Sequence, residues 1–515
     1  MALANTRVIL AAVIVIIVIA AGFYMLFFRQ QAANVVVIGT TDDVTELDPA
    51  TSYDFFTWEV LSNVMAGLVT YDQQGNIVPY LAESWESQDG GKVWIFHLRQ
   101  DAKFPDGTQC DANVVVRSIK RVMTIQGDPS WLVTEFVENV EALDQWTVKF
   151  TLKQPTGYFL AVVATPPYYP VHPNYPEDQP APDATWGGCG PYMIDEFVRD
   201  QYLRLKPNPN FFGEEPKNDG VIIRFYEGSE DLRSALEAGE IDVAWRTLNP
   251  SDLEDLKNKG YNVKEVPGLF IRYLVLRVSQ PPLDDVRVRQ ALAAAIDRQD
   301  IVDRVFRGTM EPLYSMVPSG MWSHYPAFKE KYGEGPNLEL ARQLLSQAGY
   351  NESNKLMVEL WYTPEHYGDT EAALAAVIKE QWEATGIISV EIKSSEWGTY
   401  VDQLSSGQMM ISLLGWYPDY LDPDNFLTPF LLSTANSWTG TGYANPQVDQ
   451  LLRQAMTSTD MNERAQLYKQ VQEILAEEAP FIPLVQGKLF VVTSTEVTSI
   501  EVSPLQFLIY SSISK

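Results

Sequence analysis

The run GWYPDYLDPDNF, residues 415 to 426, concentrates side chains that could do chemistry. An apolar stretch, MMISLL, leads into it like a strand, and then come Trp416, Tyr417 and one carboxylate, Asp419. From type and spacing alone Asp419 has four open roles: a charge that binds a ligand, a catalytic acid, a metal ligand or a turn residue. Asp422 and Asp424 resemble the opening of a calcium loop, but the glycine and the distal glutamate of such a loop are absent. Asp422, Pro423, Asp424 and Asn425 suit a turn followed by the N-cap of a helix over NFLTPFLLS.

The other reactive residue types carry little pattern. The chain has two cysteines, Cys110 and Cys189, and four histidines, and neither set has the spacing of a zinc site. Outside the cytoplasm one Cys110–Cys189 disulfide is available, and sequence does not fix whether it forms. No G-x-S-x-G, H-E-x-x-H, P-loop or G-x-G-x-x-G is present. Carboxylates are too plentiful for a glycosidase pair to be chosen. The missing motifs leave a carboxylate-based hydrolase open, though nothing points to one, and no cofactor is expected. The net charge of −29, from 38 basic and 67 acidic residues, makes nucleic acid and anionic lipid surfaces poor partners. Solubility is the simpler reading of that acidity.

The N-terminus bears on the compartment. Residues 8 to 28 are 21 residues without a charge, between Arg7 and Arg29, long enough to span a bilayer core of about 30 Å. The stretch exceeds a signal-peptide apolar region, and RQQAAN after it is a poor cleavage site. It reads as an uncleaved signal anchor with a short tether, residues 1–34 together.

Further along, periodicity places the elements that must hold the aspartate. NVVVIGTT is a buried strand, and a helix is expected from Phe55 to about Leu68. Hairpins are expected around Asp89-Gly90-Gly91 and in VENVEALDQWTVKFTLKQP. A helix after Ser229 ends near Gly239. From Ile271 to about Ala479 strand and helix alternate, the pattern of an α/β lobe. Helices include NLELARQLLSQAGY, TEAALAAVIKEQWEATG and the stretch capped by Asp460 and Glu463. Strands after Pro480 return toward the first half. Chain crossings near Gly268 and Pro483 would make a hinge between two lobes.

Several segments together are highly specific. LDPATSYDFFTWEVLSNVMAGLVTYDQQGNIVPYLAESWE, GKVWIFHLRQDAKFPDGTQCDANVVVRSIKR, GGCGPYMIDEF, ALEAGEIDVAW, VRVRQALAAAID and YANPQVDQLL resemble motifs of the family 5 extracellular solute-binding proteins, the oligopeptide- and dipeptide-binding components of peptide ABC transporters. The resemblance runs from about Val35 to Tyr510. It implies an α/β, bilobal Venus-flytrap fold of the large class with an extra β-rich subdomain. Lobe one would take residues 35–269 and 485–515, and lobe two 270–484. A peptide would bind in the cleft and close it, and a monomer would deliver it to the permease subunits and their ATPases. The body would lie outside the cytoplasm, in the periplasm or at the cell surface, tethered to the cytoplasmic membrane.

The resemblance further implies that Asp419 receives the peptide's ammonium. Trp397 and Trp416 match residues lining side-chain pockets, Tyr417 beside them is expected to contact the ligand, and Tyr53 and Phe56 lie in the lobe-one segment facing the cleft. No Arg or His set for the peptide's carboxylate is evident. Arg272, near the hinge, suits a salt bridge better. Relatives of this fold take oligosaccharides or nickel and other metal complexes, and an ammonium-pairing aspartate favours peptides over sugars.

Overall fold

The computed structural model describes residues 34–246, 248–364, 366–367 and 370–515. The expected anchor lies outside the described residues.

Two hydrophobic cores organise the chain. One is built from residues between Val36 and Trp245 together with Tyr420 and residues from Leu489 to Ile513. The other runs from Ile271 to Val485 without leaving that span. One sheet of 11 strands joins them. Its middle holds the two longest strands, Asn262–Leu276 and Phe481–Thr493, antiparallel to each other and each reaching into both cores. On one side Ile411–Trp416, Leu356–Tyr362 and Ile388–Ser394 follow in that order. On the other come Val243–Trp245, Val35–Thr40, Gly220–Phe225, Tyr202–Pro207 and Tyr192–Val198. Parallel pairing of Leu356–Tyr362 with Ile388–Ser394, with the helix Glu371–Glu383 between them in sequence, is the expected alternation.

The two long strands meet most closely at glycine. A Cβ on Gly268 would lie 2.4 Å from the Gly487 carbonyl oxygen, so a side chain there would force the strands apart. Their register shifts between Pro267 and Ile271. Buried Gln486 ties the crossing to the neighbouring loop, donating to the Gly268 carbonyl at 2.8 Å and accepting from the Ser319 amide at 2.7 Å.

A separate four-stranded sheet, Ala82–Gln88, Val93–Leu98, Thr147–Leu152 and Val137–Asp144 in spatial order, contains both expected hairpins. Gly90 and Gly91 take φ of 64° and 91° at the first turn. The helix Phe55–Val64 is capped by Asp54, whose carboxylate accepts from the Thr57 amide. It stops four residues short of the expected Leu68. Its last carbonyl, Val64, accepts from the amides of Gly188 and Gly190, and a Cβ at Gly190 would lie 2.6 Å from Met65. GGCGPY thus ends a helix more than 120 residues upstream, which local periodicity cannot reveal. Between those glycines Cys189 sits beside Cys110. Both thiols are buried and free, and burial holds the Cys189 thiol well above its ordinary range.

Candidate functional site

The strand Ile411–Trp416 runs out between the cores and delivers the segment that carries Asp419. The Asp419 carboxylate lines a cavity of about 780 Å³ with Tyr53, Trp397, Trp416 and Tyr417, four of the other five expected site residues. That volume suits a small ligand.

Two bonds fix the carboxylate, and a third holds its backbone. Tyr53 Oη donates to Oδ1 at 2.6 Å, across from the first core's side of the cleft. Asn425 Nδ2 donates to Oδ2 at 3.3 Å. Asn425 Oδ1 accepts from the Asp419 amide at 3.0 Å and from Trp416 Nε1 at 3.1 Å. One buried asparagine therefore sets both the acid and the indole. Burial raises the Asp419 pKa above the ordinary 3.8, and the bonds from Tyr53 and Asn425 oppose that rise.

The rest of the DPDN cluster is structural. A helix does begin at Asp424, but its cap is Pro423, which has no side-chain bond to give. The Asp422 carboxylate instead accepts from the Asp424 amide at 2.9 Å and pairs with buried Arg464 at 2.5 Å. Asp424 accepts from Thr428 Oγ1 at 2.6 Å and Tyr420 Oη at 3.0 Å. Both carboxylates are thus engaged by protein partners within the turn and the start of the helix.

Phe56 does not reach the cavity. It is 2% exposed and packs edge-on against Phe225 in the first core. Its neighbour Phe55 takes the cleft-facing place, 5.2 Å from the Tyr417 ring across the gap. One residue along a helix is a rotation of about 100°, enough to turn an aromatic from cleft to core.

Aromatic rings form most of the wall. Trp397, the first residue of the helix Trp397–Ser405, stacks flat on His366 with centroids 3.6 Å apart. Burial, helped by the charge of Arg272, lowers the His366 pKa below the ordinary 6.5, which favours the neutral ring. Tyr417 stacks on Phe270 at 4.6 Å, and Trp416 on Trp438 at 5.7 Å. His366, Tyr367, Phe270, Trp438 and Arg246 are cavity residues not singled out from sequence. His366 and Tyr367 sit in a loop without periodicity. Arg246 directly follows the GEIDVAW motif and carried no signal of its own.

Arg272 is no surface charge. It forms an ion pair with Glu371, both side chains 1% exposed, and the Tyr367 ring covers its guanidinium at 3.9 Å.

Two cores joined by crossing strands, with an aromatic cavity in the gap and Asp419 as its carboxylate among the described residues, make the arrangement of a bilobal ligand-binding protein. Comparison with known proteins agrees. Residues 76–438 match the model of the bacterial extracellular solute-binding proteins, family 5. The chain is 29% identical over 482 residues to the probable D,D-dipeptide-binding periplasmic protein DdpA of Escherichia coli, covering 91% of each. It is 28% identical to the dipeptide-binding protein DppE of Bacillus subtilis, covering 87% of this chain and 86% of that one. Among solved structures it is similar to HbpA2 from Haemophilus parasuis, with a TM-score of 0.82, 26% identity and coverage of 93% and 99%. The chain belongs to the family 5 extracellular solute-binding proteins.

Proposed function

We propose that this chain is the extracytoplasmic substrate-binding component of an ABC importer, capturing peptides between its lobes and presenting them to a membrane permease. Residues 35–269 and 485–515 form one lobe, residues 270–484 the other, and closure pivots on the paired crossing strands. The N-terminal apolar segment tethers the body to the membrane. The protein acts as a monomer and performs no catalysis, and ATP is hydrolysed by partner subunits.

The observation that carries this reading is Asp419, a carboxylate bonded from both sides of an aromatic cavity. An ammonium leaving water needs a nearby anion, and Asp419 meets that need with a bond geometry already set. The wall of Trp397, Trp416 and Tyr417 offers broad apolar faces to side chains without demanding one shape. Relatives named as dipeptide-binding proteins support the same solute class.

Calorimetry with a panel of di- to pentapeptides tests it. Asp419→Asn is isosteric, and loss of a charge-assisted bond should weaken peptide binding by at least about tenfold. Unchanged peptide affinity in this variant would remove the ammonium-pairing role. Heat from an oligosaccharide or a nickel–histidine complex, with none from any peptide, would replace the solute class.

A further inference from the structure

The strand Asn262–Leu276 runs between two cavities. Phe270 lines the Asp419 cavity, and its neighbour Leu269 lines a second one of about 870 Å³. The segment after Trp416 divides the same way, with Asp419 at the first cavity and Leu421 and Asp422 at the second. Adjacent residues of an extended chain point to opposite sides, which is how one strand and one segment serve both. No described residue lines both cavities.

Both lobes supply the second cavity, and its aromatic walls are held in place. From the first core come Trp94 and Tyr158: Trp94 Nε1 donates to the Gly91 carbonyl at 2.9 Å, and the Tyr158 ring stacks on Tyr420 at 5.5 Å. From the other comes Trp322, 6.0 Å from the Tyr468 ring and 5.1 Å from the Arg464 guanidinium.

Charge on this wall is already spent. Asp422 and Arg464 are the only acidic or basic side chains lining the cavity among the described residues, and they pair with each other at 2.5 Å, 5% and 1% exposed. Arg464 also donates to Tyr468 Oη at 2.8 Å and to the Ala455 carbonyl at 3.1 Å. A charged ligand would therefore lose its water here without gaining a counter-ion. Of the buried polar side-chain atoms on the wall, Tyr71 Oη alone has no hydrogen-bond partner among the described residues, although the Leu421 amide acts on it. A buried hydroxyl in that position is short of an acceptor.

We propose that this cavity binds an uncharged, aromatic small molecule carrying one hydrogen-bond acceptor, and that it does so independently of the Asp419 cavity. Enclosure of this size, walls of fixed rings and one unmatched donor are what such a ligand needs. The proposal goes beyond peptide capture and stands whether or not the Asp419 cavity takes peptides.

Benzophenone, with two rings and one carbonyl, tests it as a photolabel on the full chain, and 4-benzoylbenzoate is the same skeleton carrying a charge. On irradiation benzophenone should insert saturably at Met321 or Met461, which line the cavity, as read by mass spectrometry of proteolytic fragments. The half-saturating concentration of the benzoate should be higher by about tenfold or more. Leu160→Trp, which fills the cavity, should abolish the saturable label at these positions, and Tyr71→Phe should raise the half-saturating concentration by roughly threefold to tenfold. Gln74→Trp, at an exposed turn position of the wall, should give the same loss of label and decides if Leu160→Trp fails to melt cooperatively. Trp397→Ala should leave the label in place. Equal saturation by benzophenone and the benzoate would overturn the uncharged class. Label that rises without saturating, or that is lost in Trp397→Ala and kept in the cavity-filling variants, would overturn the site.

Discussion

Asn425 shows how much of the site depends on a residue that never faces a ligand. Its amide oxygen holds the Asp419 backbone and the Trp416 indole, and its amide nitrogen holds the Asp419 carboxylate. It belongs to the expected turn and also braces the candidate recognition group. Asn425→Ala removes one of the bonds that lower the Asp419 pKa, so the carboxyl should protonate at higher pH than in wild type. Peptide binding should then weaken by roughly threefold to tenfold at pH 7, the worth of one hydrogen bond. Its acid limb should also move to higher pH. Calorimetry from pH 4 to pH 8 checks this, and an unshifted acid limb would show that Asn425 does not tune Asp419. Neighbouring residues carry opposite lessons for sequence reading. The place of Asp419 at a cavity was legible because it sits in a quotable motif. Phe55 was missed for Phe56 because the aromatic pair gives no sign of helix phase. Arg246 was not singled out because nothing in its local sequence marks it as facing the cavity, which only the folded environment defines.

The helix Phe55–Val64 is anchored at the scale of elements by one buried acid. Glu59 Oε2 accepts from Trp245 Nε1 at 2.9 Å and from the Leu508 amide at 3.0 Å, and Tyr510 Oη lies 2.8 Å from Oε1. It thereby ties the helix to the strand Val243–Trp245 and to the C-terminal strand Leu508–Ser514. Full burial pushes its pKa up to about 7 from the ordinary 4.5. The folded state therefore holds this proton more tightly than the unfolded chain. The stabilisation is complete below about pH 4.5 and is lost as pH rises to about 7, a swing of about 3 kcal/mol. Glu59→Gln keeps the shape, can accept from Trp245 and Leu508 while donating to Tyr510, and does not titrate. Its melting temperature should rise relative to wild type as pH goes from 4.5 to 7.5, and parallel curves would disprove the assignment. Element existence was largely readable: both hairpins, the alternating second half and the return strands follow from local periodicity. Ends were not, because distant segments set them. GGCGPY stops the first helix. At Asp460 the carboxylate caps the helix as expected, but Glu463 bonds to Ser458 Oγ at 2.6 Å instead of closing a capping box.

For the molecule as a whole, charge and the N-terminus must be weighed together. A chain with a net charge of −29 is repelled by anionic lipid, so any residence at a membrane would have to come from the apolar segment. The full chain should partition with membranes through high salt and alkaline carbonate and leave only with detergent, whereas residues 34–515 alone should stay soluble. Recovery of the intact full chain in the soluble fraction would overturn the tether. Within the body, the bond from Tyr53 to Asp419 spans the gap between the two cores. In this arrangement of the lobes the carboxylate already has a partner. A solute retained on closure competes with a tyrosine hydroxyl as well as with water. A neutral donor merely exchanges one hydroxyl for another, while a cation adds charge to the exchange. The tyrosine sets a threshold that a weakly charged passer-by does not clear, and selectivity at this cleft begins with the occupant the protein supplies itself.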